Sequence, residues 1–188
     1  VAVIRANSES LVDGALDDKE IAQKFSNAIL KNSEKLSYLL EDILNLSTIE
    51  SGEYNLELAE NGVSDIFKTS INSVLTNNPD VKIINNISSD IKVICDIKSL
   101  SQVIDNILEN AVKYGLTEES NEIIINTKDQ GSKVRFEIED HGQGITADQR
   151  ERVFERFFRI QDNNTSLKEG TGLGLSIVKN LVNLMGGS

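Results

Sequence analysis

The amino-acid sequence predicts an α+β fold in which a helical hairpin is followed by a mixed β-sheet covered by helices. Two observations support this prediction. In residues 25–46 the apolar side chains recur in alternating steps of four and three, which is the spacing of a coiled coil. From residue 53 onward, strand-like and helix-like segments follow one another without strict alternation, which is typical of an α+β layer. We therefore expect two domains, 1–52 and 53–188.

The hairpin is predicted from two helical patterns separated by a turn. The first pattern covers residues 1–15, and Gly14 together with Asp17-Asp18 ends it. The second runs from Asp18 to Ile49, and Ser51-Gly52 ends it. Its apolar seam, in which polar Asn32 occupies one position, consists of Phe25, Ile29, Leu36, Leu39, Ile43 and Leu46.

The length of the second helix limits what can cover it. At 1.5 Å per residue, roughly 30 residues form a helix about 45 Å long, which one short partner helix cannot cover. Two interpretations remain open. One is an ordinary packed hairpin, and the other is a hairpin that pairs with a second copy of the chain to form a four-helix bundle.

The second domain is predicted to contain five strands and four helices. The strands are expected at residues 54–58, 81–87, 91–95, 122–127 and 133–139. The helices are expected at 63–75, from a cap at Ser99 or Ser101 to Tyr114, from Thr146 to Phe154, and at 172–185. Residues 160–169 are polar and without pattern, so they are predicted to form a mobile loop.

Composition excludes several classes of protein. The 188 residues are 39% hydrophobic, which is enough to form a core, and carry a formal net charge of −11. A strongly acidic chain is a poor ligand for nucleic-acid phosphates, so no nucleic-acid partner is expected. No apolar run reaches 18 residues, so we expect no membrane contact by this segment. The single cysteine, Cys95, excludes an internal disulfide and fits a reducing compartment.

A glycine-containing loop follows the last predicted strand. Asp140 stands at the strand end, where its carboxylate could accept a hydrogen bond from an exocyclic amine. Gly142 and Gly144 allow positive φ and a close approach of the backbone to a flat ligand. Taken alone, this pattern is weak evidence, because glycine-containing loops after strands are usually turns.

The helix that ends at Tyr114 carries a polar stripe. Asn106, Asn110 and Lys113 share one face because they are four and three residues apart. Asparagine oxygens can bind Mg²⁺ without adding negative charge, and a lysine can neutralise a phosphate. The stripe could therefore hold a metal-bound triphosphate, although a solvated helix face is the simpler interpretation of this helix alone. The opposite face consists of Ile104, Ile107, Leu108, Ala111 and Val112.

A second glycine segment opens the final predicted helix. Gly170, Thr171, Gly172 and Gly174 leave backbone N–H groups exposed at the positive end of the helix dipole, which suits phosphate. The segment is not a Walker loop, because no Gly-Lys-Ser/Thr follows. It is not a Rossmann fingerprint either, because its third glycine comes one position early and no strand precedes it.

Four stretches occur in order: 106–114, 139–145, 154–159 and 170–175. This set resembles the N, G1, F and G2 boxes of sensor histidine kinases. The resemblance implies a partial dimerisation and phosphotransfer hairpin at 1–52. It also implies an α/β-sandwich ATP-binding domain of the GHKL type (the fold shared with gyrase and Hsp90) at 53–188.

By resemblance, the substrate is ATP with Mg²⁺, and each box contributes to its binding. Asn110 is the implied Mg²⁺ ligand with Asn106 as a possible second, Lys113 meets phosphate, and Asp140 selects adenine. The loop 160–169 would be a lid over the nucleotide. The implied ATP-binding residues are Asn106, Asn110, Lys113, Tyr114, Asp140, Gly142, Gly144, Ile145, Arg159, Gly170, Thr171, Gly172, Leu173, Gly174 and Leu175.

The same resemblance implies partners and a reaction. The enzyme would move the γ-phosphoryl group of ATP to a histidine and then to an aspartate on the receiver domain of a response regulator. It would form a homodimer through the hairpin and would be the cytoplasmic portion of a membrane-anchored sensor. The aromatic residues of the F box are expected to pack at the base of the loop 160–169, with Arg159 a better candidate than Arg156 to reach phosphate.

One departure from the family concerns the phosphoacceptor. The only histidine, His141, lies in the G1 loop and is interpreted as a variable loop residue. The family's acceptor would precede Val1, and a last strand would follow Ser188, so we expect a chain truncated at both ends. No catalytic residue is therefore assigned, and autophosphorylation on the usual histidine is not expected.

Two alternatives belong to other classes. Hydrolases of the shared fold carry a glutamate one helical turn before the Mg²⁺ asparagine, where this chain has Asn106, which cannot act as a base. Glu109 is about 100° away around the helix, so the sequence favours a kinase. A degenerate interaction module that binds no ATP is the other alternative, and the intact boxes argue against it.

Overall fold

The computed structural model of the chain describes residues 1–117, 120–160 and 170–188, with only the backbone of Glu50. The chain divides into two compact units, Val1–Glu53 and Tyr54–Ser188. The loop predicted at 160–169 lies, apart from Ile160, outside the described residues. Among the described helices, none is both long and apolar enough to cross a membrane.

The first unit consists of two helices joined by a 3-10 turn at Ala15–Asp17. Helix α1 covers Ala2–Val12, and helix α2 covers Lys19–Ser51. Helix α2 begins where the Asp18 carboxylate accepts hydrogen bonds from two free N–H groups of the first turn, those of Glu20 and Ile21. It ends at Gly52, which has the left-handed conformation (φ 74°) common after a helix. The predicted helix pair is confirmed.

The described residues of the second unit form five strands and three further α-helices. Its strands are β1 (Ala59–Gly62), β2 (Lys82–Asn85), β3 (Lys92–Cys95), β4 (Glu122–Asp129) and β5 (Val134–Glu139). Its helices are α3 (Val63–Asn77), α4 (Ile97–Tyr114) and α5 (Gly174–Leu184), with a 3-10 turn at Arg152–Phe154.

The strands form two sheets. Strands β1 and β3 pair antiparallel, and a three-stranded sheet has the order β2-β4-β5. In that sheet β2 is parallel to β4, with Ile83 opposite Ile123, and β4 is antiparallel to β5, with Ile125 opposite Ile138. The sheet is therefore mixed, and the predicted α+β class is confirmed.

The core of the second unit lies between the three-stranded sheet and the helices. Alternate residues of β4, Ile123 and Ile125, are fully buried, and Leu108 of α4 is buried as well. The rings of Phe67 on α3 and Phe136 on β5 pack with centroids 5.3 Å apart. Burial of the apolar side of α4 turns its opposite, polar side away from the core.

The strand predicted at 54–58 is wrong, because these residues form no β-ladder. Instead, the Tyr54 hydroxyl lies 3.2 Å from the Ser99 Oγ, and the Glu57 N–H donates to the Asp96 carboxylate (3.1 Å). Side chains at the start of α4 thus bind this segment, and the strand begins only at Ala59.

The cap predicted for α4 is also wrong. Asp96, rather than Ser99 or Ser101, begins the helix, because its carboxylate accepts a hydrogen bond of 2.7 Å from the Ser99 N–H. Burial acts to raise the pKa of the Asp96 carboxyl, but hydrogen bonds from Ser99 and Glu57 outweigh it and lower this pKa below its ordinary value.

The helix predicted from Thr146 to Phe154 does not form. The chain makes turns there, and only Arg152–Phe154 is a 3-10 turn, with the Phe154 N–H bonded to the Glu151 carbonyl. Most residues of this segment are polar and exposed, so a helix would have little apolar face to bury.

Candidate functional site

The polar stripe of α4 lies along the second glycine segment. A Cβ atom built on Gly174 would lie 2.5 Å from the Asn106 Oδ1, and one built on Gly170 would lie 2.7 Å from the Lys113 Nζ. Both distances are too short for a real Cβ contact, so glycine is what lets these groups approach. The structure thus brings the two ends of the stripe against the two ends of the segment, with Asn110 between them on α4.

Asn106 is held by its own helix. Its Nδ2 donates to the Gln102 carbonyl (2.9 Å), which leaves the amide oxygen directed toward Gly174 at the first turn of α5. At the other end of the stripe, the Lys113 Nζ lies 5.1 Å from the ring centroid of Tyr114. A neutral oxygen and a cation are therefore presented to the same backbone segment from opposite ends.

The loop after β5 lies against the C-terminal end of α4. The Gly142 N–H donates to the Asp140 Oδ1 (2.9 Å), and the His141 N–H donates to the Gly115 carbonyl (3.1 Å). A Cβ on Gly142 would overlap the Tyr114 carbonyl oxygen. Asp140, Tyr114 and Lys113 are thereby gathered at one end of α4.

The two glycines of this loop have different roles. Gly144 has the positive φ (72°) that was predicted, with nothing within 4 Å of a Cβ built on it. Gly142 does not have positive φ, and it is required because the backbone of α4 occupies the space of a side chain. The prediction of positive φ is therefore confirmed for Gly144 and wrong for Gly142.

The F segment packs on the second glycine segment through its backbone. The Phe157 N–H donates to the Gly172 carbonyl (2.9 Å), and a Cβ on Gly172 would lie 2.8 Å from the Phe157 carbonyl carbon. Phe157 has φ 60°, which is rare for a bulky residue, and its side chain is 63% exposed. Two neighbouring rings contact cations: Phe158 lies under Arg152, and Phe154 lies under Lys179.

Some predicted site residues lie elsewhere. Leu173 is fully buried, so its side chain belongs to the core, and its N–H donates to the Thr171 Oγ1 (3.1 Å). Leu175 is half-buried on α5. Ile145 and Arg159 lie on exposed segments.

Two carboxyl groups adjoin the stripe in sequence, Asp105 beside Asn106 and Glu109 beside Asn110, and the pKa of Glu109 is shifted. Partial burial raises its pKa, the charge of Asp105 one turn earlier raises it further, and Lys113 opposes both effects. Glu109 therefore interacts with charged neighbours of its own helix, and the stripe itself contributes one cation and two amides.

Sequence reasoning missed Gly115. A glycine directly after a helix usually indicates only a left-handed C-cap, but Gly115 has φ −91° and ψ −10°, which is right-handed. It is buried, and a Cβ on it would overlap the side chain of Asp140. The role of this glycine depends on a residue 25 positions away, so no local pattern could have revealed it.

Comparison with known proteins agrees with this arrangement. Residues 95–188, half of the chain, match the family of histidine kinase-, DNA gyrase B- and HSP90-like ATPases, and the chain belongs to this family. The Bacillus subtilis sensor histidine kinase WalK is 30% identical over 189 residues, which cover all of this chain and 31% of WalK. The predicted resemblance to sensor histidine kinases is therefore confirmed, and the chain spans about a third of that relative.

Two solved structures share the fold. The histidine kinase AdeS of Acinetobacter baumannii superposes with a TM-score of 0.73 at 21% identity, covering 97% of this chain and 82% of that one. Full-length ShkA, solved in complex with AMPPNP, superposes with a TM-score of 0.71 at 24% identity, covering 90% of this chain and 35% of that one. The GHKL-type architecture of the second unit is thus confirmed.

Proposed function

We propose that this chain is the catalytic core of a sensor histidine kinase and binds Mg-ATP between α4 and the two glycine segments. The observation that carries the proposal is the contact of Asn106 with Gly174 and of Lys113 with Gly170. The polar stripe and the glycine segment therefore lie side by side, and together they form a polar surface, the cradle, with a neutral oxygen at one end and a cation at the other. An elongated anion such as a triphosphate suits a site of this shape, with a cation at one end and backbone N–H groups along it.

Each part of the site has a proposed role. Asn110, in the middle of the stripe, is the proposed Mg²⁺ ligand, with Asn106 as a second or supporting group. Among the described residues, no group of three or more His, Cys, Asp or Glu side chains could hold a metal ion. A Mg²⁺ ion in the cradle would therefore take oxygens from asparagine and from the nucleotide phosphates.

The adenine base is proposed to lie at Asp140. One carboxylate oxygen is bound by the Gly142 N–H, so the other can accept from the exocyclic amine of adenine. Tyr114, at the end of α4, would lie near the nucleotide, and Gly142 and Gly144 let the backbone approach the base. AMPPNP is the ligand of ShkA, whose fold this chain shares, which supports a nucleotide at the corresponding site.

The acceptor is proposed to be a histidine outside this sequence, since the only histidine here is in the G1 loop. His141 is also tied to the sheet, because its Nδ1 lies 3.3 Å from the Glu122 carbonyl oxygen. The ATP unit would position the γ-phosphoryl group and neutralise its charge, while the acceptor histidine attacks. The phosphoryl group would then pass to an aspartate of a response regulator.

Hydrolysis is the second candidate function, because the family includes ATPases. It is disfavoured by the residue one turn before Asn110, which is Asn106 and cannot take a proton from water. Glu109 lies beside Asp105 and Lys113 on α4 and not at Gly174. Phosphate released from ATP by the chain alone would favour the hydrolase.

The first unit is proposed to dimerise. Helix α1 has 11 residues and α2 has 33, so α1 can cover only about a third of α2. Four apolar residues of one face in the second half of α2 stay exposed: Leu36 (38%), Leu40 (62%), Ile43 (48%) and Leu44 (55%). A second copy of the chain would cover them in a four-helix bundle.

Sedimentation of two variants tests the dimer. Leu40→Lys combined with Ile43→Lys should convert a dimer to a monomer, because it places two charges in the proposed seam. Tyr38→Lys is the matched control, since Tyr38 is 69% exposed on the opposite face of α2. A monomeric parent chain, or dissociation by the control as well, would contradict this interface.

Calorimetric titration of an ATP analogue, with and without Mg²⁺, tests the nucleotide site. Asp140→Asn should weaken binding by about tenfold or more, because the amide presents a donor to the adenine amine. Asp129→Asn is the matched control, because the Asp129 Oδ1 accepts from the Gly131 N–H (2.8 Å) in the same local geometry. No binding to the parent chain would favour a degenerate module, and equal loss in both variants would contradict the pocket.

A further inference from the structure

We propose that Gly115 is a positioning residue that fixes the direction of the Asp140 carboxylate and so sets the preference of the site for adenine over guanine. The proposal rests on the proposed function, since it assumes that Asp140 meets the base. It assigns a role to a residue outside the four sequence boxes, and it concerns the selection of the base, not the binding of phosphate.

The requirement for glycine at this position is steric and not conformational. Gly115 has φ −91° and ψ −10°, a right-handed conformation that residues with a side chain also adopt. In contrast, Gly52 after α2 has φ 74° with nothing within 4 Å of a built Cβ, so its requirement is purely conformational. An alanine at position 115 would therefore fail because of the atoms that its Cβ would meet.

The groups around Gly115 come from two directions. On one side, a built Cβ would overlap the Cβ and Cγ atoms of Asp140. On the other side, it would lie 2.6 Å from the Ala111 carbonyl oxygen, which belongs to the last turn of α4 and accepts the Gly115 N–H. Because the helix backbone cannot yield easily, an added methyl group would displace the side chain of Asp140.

Two hydrogen bonds hold the segment that carries Asp140 in place. The N–H of the next residue, His141, donates to the Gly115 carbonyl, and the Gly142 N–H donates to the Asp140 Oδ1. A Cβ on Gly142 would lie 2.8 Å from the Gly115 Cα, so the two glycines are packed against each other. The carboxylate is thus oriented by a bond on one oxygen and by packing of its carbon atoms beside Gly115.

Base selection follows from this orientation. Adenine presents an amine donor to the carboxylate, whereas guanine presents a carbonyl oxygen at the corresponding position, which a carboxylate repels. A displaced carboxylate would lose the bond to adenine and would also lose the repulsion of guanine. The ratio of ATP to GTP affinity should therefore report the position of Asp140, whereas general damage to the fold would weaken both nucleotides equally.

The experiment compares Gly115→Ala with the parent chain by titration with ATP and with GTP. We expect the ATP:GTP affinity ratio to fall by about tenfold, the value of one hydrogen bond to a charged group. Gly62→Ala is the matched control, because Gly62 also has ordinary φ (−72°) and has nothing within 4 Å of a built Cβ. The control should leave the ratio and both affinities unchanged.

Two further variants separate the possible failures. Asp140→Asn should lower the ratio by itself, and adding Gly115→Ala to it should produce little further change in the ratio, because both act on one bond. If Asp140→Asn leaves the ratio unchanged, the proposed adenine site is wrong. A second failure is possible when Asp140→Asn does lower the ratio. If Gly115→Ala then leaves the ratio unchanged, or lowers ATP and GTP affinity alike, the positioning role of Gly115 is wrong and the proposed adenine site remains.

Discussion

Two turns of this protein share one local pattern and differ in everything around it. Asp129-Gln130-Gly131 joins β4 to β5, and Asp140-His141-Gly142 follows β5. In both, the aspartate Oδ1 accepts the N–H of the glycine two residues later, at 2.8 Å and 2.9 Å. Gly131 has φ 80° with open space around it, whereas Gly142 lies against the backbone of α4. The same short-range hydrogen bond thus makes an ordinary hairpin turn in one place and part of a candidate ligand site in the other.

The difference shows where binding specificity arises. Local chemistry folds the turn, but only the helix that packs against it turns the aspartate into a fixed acceptor. Matched substitutions in the two turns, and in the residues that contact them, test whether packing against α4 causes this difference.

The largest effect is expected for Gly142→Ala. Its added methyl group would overlap the Tyr114 carbonyl oxygen, so we expect loss of measurable ATP binding and destabilisation of about 1–3 kcal/mol from overpacking. Gly131→Ala should lower the free energy of unfolding by about 1–2 kcal/mol, because alanine disfavours the positive φ of this position, and it should leave ATP affinity unchanged. Calorimetric titration measures the ATP affinity, and thermal unfolding measures the stability. Similar ATP affinity for both variants would remove the distinction between the turns.

A third aspartate, Asp96, accepts a backbone N–H in the same way, but at the start of a helix instead of in a turn. Asp96→Ala should destabilise the second unit by about 1 kcal/mol near neutral pH, because the Ser99 N–H loses its cap. Since the folded-state pKa of Asp96 is lowered, its contribution is complete above the unfolded pKa and is lost as pH falls through the folded value. Denaturant unfolding of parent and variant should therefore differ by a constant amount above about pH 4 and by less below it. A difference that grows toward low pH would contradict this.

A smaller effect is expected for Gly170→Ala. A Cβ there would lie 2.7 Å from the Lys113 Nζ, but a lysine terminus can move away at little cost. We expect ATP affinity to fall by about threefold, with no loss of stability beyond a few tenths of a kcal/mol. Titration with ADP and ATP would show whether the displaced ammonium served the terminal phosphate. Unchanged affinity for both nucleotides would place Lys113 outside the site.

The smallest effect is expected for Gly131→Asn. Asparagine tolerates the left-handed conformation better than other residues with a side chain, and nothing surrounds this position. The change in unfolding free energy should stay within about 1 kcal/mol, and nucleotide affinity should not change. A larger loss than that of Gly131→Ala would mean that this turn makes contacts beyond its own residues.

Sequence patterns predicted the elements that are formed by local forces. The start of α2 near Asp18, its end at Ser51-Gly52 and the two faces of α4 were predicted from turn residues and from the 3.6-residue period. The polar stripe was predicted from the same period, and the structure places its ends at Gly170 and Gly174.

One wrong prediction involves partners far away in the chain, and another failed because the segment has too little apolar surface. The alternating apolar residues 54–58 read as a strand, but Ser99 and Asp96 hydrogen-bond this segment instead. The segment that begins at Thr146 has helix-forming residues, yet it offers little apolar face for a helix to bury.

The sequence by itself determined the class of this protein, the secondary structure of its long elements and the residue types of its candidate site. The tertiary structure alone decided which glycines matter for contact and which for conformation. A positive φ is a property of one residue and its neighbours, and turn patterns can reveal it. The closeness of Gly115 to Asp140, or of Gly174 to Asn106, arises only when α4 packs beside distant segments, because steric exclusion acts between atoms that share space, regardless of their separation along the chain.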